Sequence, residues 1–486
     1  MDEWQLFWTG ADVVAPASEA GVLDGWEGLA ARESQLGIRT GQPILLSPAG
    51  RVDPRLSRIF KSHYFARKSE GTRQTYAPCY RVFFTFLWQR GLNWDEATPE
   101  DLEDWEDWRL RGLGNRNTIT GSTWGKELAA LRLLYDIARK LRFVADSPVL
   151  LRSFVLPDGT MVESAELAPA DVRGSDVKWL TPRAYRLWRD VGLGGMLSDG
   201  LENPSWPGRN DARDTSYADL VYSSGLRRRE GGTLLLAELP ELTDRRYYAG
   251  KVGTAVAKRA GRTYYASHGA LRTVEYYRLS TRAQAVRRAQ MRGLYEQVPD
   301  KRILEEVTRR RIARWSEPDG RLGQAHLDKL NVRQRMKLFV RAADGLEPAM
   351  VWLTESGMPM AYRSWTKTFE RASERCAAMG LTVFATPHML RHSMALRMLL
   401  ALNHALDRRL GLTPGERRRY EEAYGTVWSM VKDLLGHLSE ETTKAIYLEP
   451  VRGLQLETLL NDEDHPVNDL MLSELARRTG LILDAV

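Results

Sequence analysis

The sequence predicts a mainly α chain with a small antiparallel β-sheet, arranged as an N-terminal helical bundle followed by an α+β domain. Three observations predict it. Between Thr72 and Trp88, the residues Tyr76, Tyr80, Phe83, Phe84 and Leu87 recur at helical spacing, with Arg73 and Arg81 off the stripe. The clearest β signal lies far downstream, at Tyr247–Ser267, where β-branched and aromatic residues flank the turn-like Arg259-Ala260-Gly261. The third observation is bulk. A chain of 486 residues, 43% of them hydrophobic, is long enough for two or three cores, and no apolar run approaches the roughly 18 residues of a membrane span.

The charge is unevenly spread. Met1–Gly50 and Gln455–Val486 each carry seven acids against two arginines, so a net charge of +7 leaves +17 on the body between them. A body of that charge attracts a polyanion, and nucleic acid is the natural candidate. The plainer account is an arginine-rich solvated surface, and charge alone does not separate the two. The start, Met1-Asp2-Glu3-Trp4, lacks the basic and apolar regions of a secretory signal. Two cysteines, Cys79 and Cys376, form no disulfide framework and suit a reducing cytoplasm.

Taken in order, residues 1–50 read as an extension of unknown role with one helix around Leu23–Gln35. Residues 51–160 read as a bundle of about four helices. Thr98-Pro99-Glu100-Asp101 is a helix start with Thr98 as N-cap, proline at the first position and acids in the first turn. Trp105 and Trp108 follow it, and Leu128, Leu131, Leu134, Tyr135 and Ala138 mark the next helix. Residues 151–180 read as a linker, and a second domain spans 175–455. Within it, 281–345 reads as basic and helical, and 401–425 as a helical insertion. Residues 456–486 form an acidic tail, helical over Val467–Leu483.

Four short stretches carry chemistry. They are Tyr222-Ser223-Ser224-Gly225-Leu226-Arg227-Arg228-Arg229-Glu230, the β segment with Lys258 before its turn, Thr386-Pro387-His388-Met389-Leu390-Arg391-His392, and Leu434-Leu435-Gly436-His437 followed by Tyr447. In the third, Thr386 and Pro387 cap a helix, so His388, Arg391 and His392 fall on one face near its N-terminus, where anions are favoured. Zinc is the rival for His-x3-His on a helix, but a zinc-protease motif needs glutamate where Met389 stands. Taken alone, His437 reads as a helix-end histidine and Tyr447 as a core aromatic.

Together and in this order, the four stretches resemble the tyrosine recombinase (phage integrase) family. Its pattern is a Gly-Leu-Arg-x-x-Glu box, a lysine on a β-hairpin, a His-x-x-Arg box, a Leu-Gly-His box and then a nucleophilic tyrosine. The resemblance places catalytic roles on Arg227, Lys258, His388, Arg391, His437 and Tyr447, the nucleophile, with Glu230 as the acid supporting Arg227. Residues 51–160 resemble the family's core-binding domain, which binds DNA. Lys251, Arg259 and Arg262 compete with Lys258 by position, and Tyr420 and Tyr424 are rival tyrosines upstream of Leu-Gly-His. His437 and Tyr447 stand one residue further apart than in the family pattern.

The resemblance implies chemistry without cofactor, metal or ATP. The tyrosine oxygen attacks a phosphodiester, two arginines neutralise the phosphorane, His388 and His437 move protons or donate to a non-bridging oxygen, and Lys258 protonates the 5′-oxygen leaving group. The product is a 3′-phosphotyrosyl enzyme and a 5′-hydroxyl. It also implies double-stranded DNA as partner, clamped between the two domains, a homotetramer on paired sites, room for accessory proteins, and a bacterial or phage cytoplasm without membrane attachment. The insertions are expected to add DNA or partner contacts, and the tail to dock on a neighbouring protomer or on its own domain. Integrase or transposase of a mobile element is the expected role. A type IB topoisomerase and a non-catalytic DNA-binding accessory protein remain the alternatives.

Overall fold

The computed structural model describes residues 3–10, 35–112, 115, 117–155, 161–169, 177–258, 260–404, 413–437, 439–444, 446–447 and 482–483. It divides into two units, Met1–Gly174 and Ser175–Val486.

Helices of the first unit begin where side chains satisfy the open N–H groups. Asp53 caps α1 (Pro54–Lys61), and a single turn, α2 (His63–Ala66), follows. Ser69 caps α3 (Glu70–Gln89), accepting from Thr72 N at 3.1 Å. Thr98 and Asp101 form a reciprocal capping box at α4 (Pro99–Leu110). The last helix is α5 (Gly121–Lys140). The aromatic stripe of α3 is core: Tyr80, Phe83, Phe84 and Leu87 are buried with Trp94, Trp105, Trp124, Leu131 and Tyr135. The two tyrosine hydroxyls find partners, Tyr80 Oη donating to Ala130 O at 3.1 Å and Tyr135 Oη to Trp94 O at 2.6 Å.

Two features differ from the sequence expectation. Strands β1 (Gln5–Trp8) and β2 (Pro43–Leu46) pair antiparallel, and buried Trp4 meets Phe84 edge-on at 5.3 Å, so both ends of the expected extension belong to the helical core. The helix expected at Leu23–Gln35 lies outside the described residues, apart from Gln35. The expected linker contains a hairpin, β3 (Leu151–Val155) with β4 (Met161–Ala165).

In the second unit, short β5 (Trp179–Leu180) leads into α6 (Pro182–Leu187), then α7 (Asp211–Ser224) and the five-residue α8 (Arg228–Gly232). Strands β6 (Tyr247–Val252) and β7 (Arg262–Ser267) form the expected antiparallel hairpin. Helices α9 (His268–Tyr277) and α10 (Ala283–Met291) follow. Tyr217 of α7 stacks on Trp365 at 3.6 Å and meets Trp352 edge-on at 5.4 Å, which places α7 at the centre of the core.

The region expected to be helical at 281–345 is corrected by the structure. Beyond α10 it is a five-stranded mixed sheet: β8 (Arg302–Val307), β9 (Ile312–Ser316), β10 (Leu322–His326), β11 (Leu338–Ala342) and β12 (Gly345–Pro348). The order is β10-β9-β8-β11-β12, with β8 and β11 parallel and the other pairs antiparallel. Alternation decides it. Ala313 and Trp315 of β9 face a core with Leu304 and Leu338, while Arg314 points outward. Arginine density hid a period of two. One short helix, α11 (Val332–Met336), interrupts the strands.

The unit continues with α12 (Ser364–Ala378), α13 (Pro387–His404), α14 (Pro414–Tyr424) and α15 (Val427–Leu435). Most of the tail expected to be helical lies outside the described residues. Its described part, Ile482–Leu483, is a strand rather than helix, and it pairs in parallel with β5 of the same chain. No described helix is long and apolar enough to cross a membrane.

Candidate active site

Two helix ends and one buried carboxylate build the site. Helix α7 stops at Gly225, whose φ of 64° is the left-handed cap that glycine adopts at low cost. A Cβ there would also lie 3.0 Å from Met394 Sδ. Two residues on, Arg227 occupies the N-cap of α8, and Glu230 turns back to accept its backbone N–H at 2.8 Å and its Nη1 at 3.0 Å. Glu230 is 1% exposed. Its carboxylate also receives Arg262 from the first residue of β7, Nη1 on Oε1 at 2.8 Å and Nη2 on Oε2 at 2.7 Å. That is a parallel two-bond fork, the strongest carboxylate–guanidinium geometry.

Helix α15 ends in the same manner. Gly436 has φ 62°, and a Cβ on it would fall 2.9 Å from Arg262 Cδ. The carbonyls at this end take three guanidiniums: Leu434 O accepts Arg262 Nε at 2.9 Å, Leu435 O accepts Arg391 Nη2, and Gly436 O accepts Arg227 Nη2 at 3.2 Å. Arg391 also donates to Gly225 O at 2.5 Å, so it joins the C-terminal ends of α7 and α15. Cations are favoured there because helix C-termini carry partial negative charge.

Helix α13 starts as its capping residues require, with Thr386 Oγ1 accepting Met389 N at 3.2 Å. His388, Arg391 and His392 therefore share a face, and the two imidazoles meet edge-on with centroids 4.3 Å apart. His392 Nδ1 lies 2.6 Å from the Tyr447 hydroxyl. Tyr447 is fully buried among Leu396, Leu399, Val431 and Leu435. His437 Nδ1 lies 3.0 Å from the hydroxyl of buried Thr443.

The electrostatics follow from crowding cations in a dry place. Burial alone would raise the Glu230 carboxyl, but Arg262 and then Arg227 outweigh it and hold it at about 2. Burial, then Arg391, Arg227, Arg262 and His388, push His437 down to about 4. Burial, then His388, Arg391 and His437, push His392 down to about 3. His388 is lowered by the crowding protein around it, then by Arg391, Arg227 and Lys258, although its own side is open to solvent. All three imidazoles are neutral at pH 7. Burial raises the Tyr447 phenol above its ordinary range, while Arg391 and Arg227 pull the other way. Burial, Arg227 and Arg262 also lower Arg391, to about 9, so its charge is costly where it sits.

The structure thus brings Arg227, Glu230, His388, Arg391, His437 and Tyr447 together. Lys258 reaches them through its field on His388. It is exposed between the end of β6 at Val252 and the start of β7 at Arg262, and the first residue of the expected turn, Arg259, lies outside the described residues. Three residues at the site carry no assignment from sequence. Arg262 reads there only as a competitor near the turn, and nothing local links it to Glu230. His392 falls on the right face but without a role. Thr443 carries no signal. Among the described residues, no group of three or more His, Cys, Asp or Glu is placed to hold a metal ion.

The described residues thus form a helical unit and a unit of helices and small sheets, with two guanidiniums gathered on one buried carboxylate and a tyrosine hydroxyl held by an imidazole. Residues 59–140 match the family described as phage integrase, N-terminal SAM-like domain. No curated protein sequence matches the chain. Among solved structures, it is similar to XerH site-specific recombinase bound to a palindromic difH substrate in a post-cleavage complex, at 12% identity, over 83% of each chain, with a TM-score of 0.44. It is also similar to the Tn1549 transposon integrase in complex with transposon right end DNA, at 12% identity, over 84% of this chain and 98% of that one, with a TM-score of 0.42. A lambda integrase dimer bound to a COC′ core site is 11% identical over 81% of this chain and 93% of that one, with a TM-score of 0.39.

Proposed function

We propose that this chain is a tyrosine recombinase that cuts and rejoins duplex DNA through a 3′-phosphotyrosyl intermediate, as the integrase or transposase of a mobile element. The observation that carries the reading is Tyr447, held 2.6 Å from His392 and within the fields of Arg391 and Arg227. A buried tyrosine serving only the core would not need its hydroxyl held by an imidazole on the same helix face as Arg391.

In this reading a DNA phosphate enters over Arg227, whose side chain is 23% exposed against 7% for Arg262. Arg391 and Arg262 supply charge from beneath. The phosphate also raises the three depressed histidines, since its negative charge favours their protonated forms. His392 then becomes a workable acceptor for the Tyr447 proton. The phenolate oxygen forms a bond to phosphorus, the bond to the 5′-oxygen breaks with its electron pair leaving on oxygen, and the Lys258 ammonium protonates that oxygen. His388 and His437, each with one N–H to give, steady a non-bridging oxygen. Rejoining is the reverse, and the phosphotyrosyl bond keeps the energy it requires. A homotetramer on paired sites belongs to the same proposal.

The test is a selection. Full-length protein is incubated with duplex oligonucleotides of randomised core, and detergent-resistant adducts are recovered and sequenced. The reading expects an enriched site, an adduct that persists in EDTA, and none from Tyr447→Phe. An adduct from the Phe variant, or its loss with chelator, contradicts the mechanism. Relaxation of plasmid lacking the enriched site, by monomeric protein, would favour a type IB topoisomerase.

A further inference from the structure

The loop carrying Lys258 is held from two sides, and one of them is the inserted five-stranded sheet. At the end of β10 the chain makes a tight turn at Leu327–Lys329. The Asp328 carbonyl in that turn accepts Ala255 N at 2.8 Å and Thr254 Oγ1 at 3.0 Å. A Cβ on Gly253 would fall 2.7 Å from Asp328 Cα, so the two backbones touch and only glycine fits between them. From the other side, Arg229 donates Nε to Val256 O at 2.6 Å and Nη2 to Ala257 O. Residues 253–257 are therefore fixed, and Lys258 is the next residue.

Asp328 is itself fixed by charge. Its carboxylate accepts Arg311 Nη2 at 2.9 Å and Nε at 3.2 Å, and Arg311 Nη2 reaches Glu238 at 3.1 Å. Glu238 is 6% exposed and pairs with Arg335, which is 1% exposed and donates to Thr233 O at 3.0 Å. Thr233 follows α8, the helix that Arg227 caps. One connected set of bonds thus runs from the Arg227 helix through the insertion to the Lys258 loop.

We propose that the inserted sheet is a positioning element for Lys258, acting through Asp328 and Arg311. This rests on the reading that Lys258 protonates the 5′-oxygen leaving group. A lysine on a flexible four-carbon stem gives up its proton efficiently only if the backbone beneath it stays put, and a displacement near 1 Å costs on the order of a hundredfold.

The test uses Arg311→Asn in the full chain. Arg311 has φ 61°, a left-handed conformation that asparagine tolerates best among non-glycine residues, and asparagine is too short for Asp328 or Glu238. The substrate is the duplex enriched in the selection above, made once with a normal phosphate and once with sulfur in place of the 5′-bridging oxygen. A thiolate leaves without a proton, so the sulfur substrate bypasses the general acid. Arg311→Asn and the reference variant Lys258→Ala should each cleave the oxygen substrate about tenfold to hundredfold more slowly than the unaltered protein. On the sulfur substrate both should return to within a few-fold of it. Equal slowing of Arg311→Asn on both substrates, or no slowing, overturns the inference. Failure of sulfur to rescue Lys258→Ala instead overturns the role of Lys258. Gly253→Ala, which wedges the backbones apart without touching the sheet's charges, should behave as Arg311→Asn does. Amide exchange gives a readout without DNA. In both variants the Ala255 amide should exchange faster while those of β6 and β7 do not, and unchanged exchange at Ala255 contradicts the bracing.

Discussion

Glu230 and Arg262, thirty-two positions apart in the sequence, form a two-bond ion pair with lengths of 2.8 and 2.7 Å. The carboxylate is 1% exposed and also anchors Arg227. Its negative charge acts on Arg391 against the fields of Arg227 and Arg262, and so it offsets a cluster of guanidiniums that would otherwise repel.

Glu230→Gln keeps the shape and removes the charge. Breaking a buried pair from one side typically costs about 3–5 kcal/mol, because the remaining charge is left uncompensated. The variant should show a large loss in denaturant midpoint and slower cleavage. A midpoint equal to that of the unaltered protein would mean that the arginines are neutralised by something else.

The same groups set an acid limit. Glu230 is held at about 2 in the fold, below the ordinary value of 4.5, so the unfolded chain binds its proton first as pH falls. Its contribution is complete above pH 4.5 and is lost between about 4.5 and 2. His437 and His392, at about 4 and 3 against an ordinary 6.5, also stay unprotonated in the fold after the unfolded chain has taken its protons. Their contributions are complete above pH 6.5 and fade below it. Stability should therefore decline from about pH 6.5 downward, steepening below 4.5. His392→Asn should flatten the upper part of that decline. A profile level from pH 7 to 4 would contradict the assigned shifts.

His392 is tested at Tyr447. His392→Leu strips the buried phenol of its partner, which costs about 1–3 kcal/mol in stability. If the imidazole also receives the phenol proton, single-turnover cleavage should fall by about 10²–10⁴. Cleavage at the normal rate in a folded His392→Leu protein would remove that role and leave His392 as a structural partner only.

Gly436→Ala probes the cap of α15. A side chain at φ 62° costs roughly 1–2 kcal/mol, and the added methyl presses on Arg262 Cδ. DNA binding in gel shifts should be nearly retained while cleavage drops, since the change falls on the charge cluster. Equal loss of both would place the effect on the fold rather than on the site.

Much of this site is legible from the chain because its parts are local. Gly225-Leu226-Arg227 with Glu230 is a helix end and a helix start; Thr386-Pro387 is a cap that sets His388, Arg391 and His392 on one face; Gly436 is a helix stop. The partners that the sequence leaves unassigned act at long range. Arg262 meets Glu230 only because a hairpin folds back, and His392 meets Tyr447 across fifty-five positions. The sheet at 302–348 is hidden for another reason. Its strands are only four to six residues long, and the arginines of the region cluster in the connections between them, as at Arg309-Arg310-Arg311. In β9 the alternation of buried Ala313 and Trp315 with exposed Arg314 is too brief to outweigh helix-favouring composition.

In the proposed reaction Tyr447 becomes covalently joined to DNA. Cleavage after Lys444 and Arg452 gives a peptide of residues 445–452 in which Tyr447 is the sole tyrosine, while Tyr420 and Tyr424 fall in a different peptide. The adduct from the selection, digested with trypsin and nuclease, is read by tandem mass spectrometry. A nucleotide mass on Tyr447 of peptide 445–452 is expected. The same mass on the peptide holding Tyr420 and Tyr424, or on a serine anywhere in the chain, would contradict it.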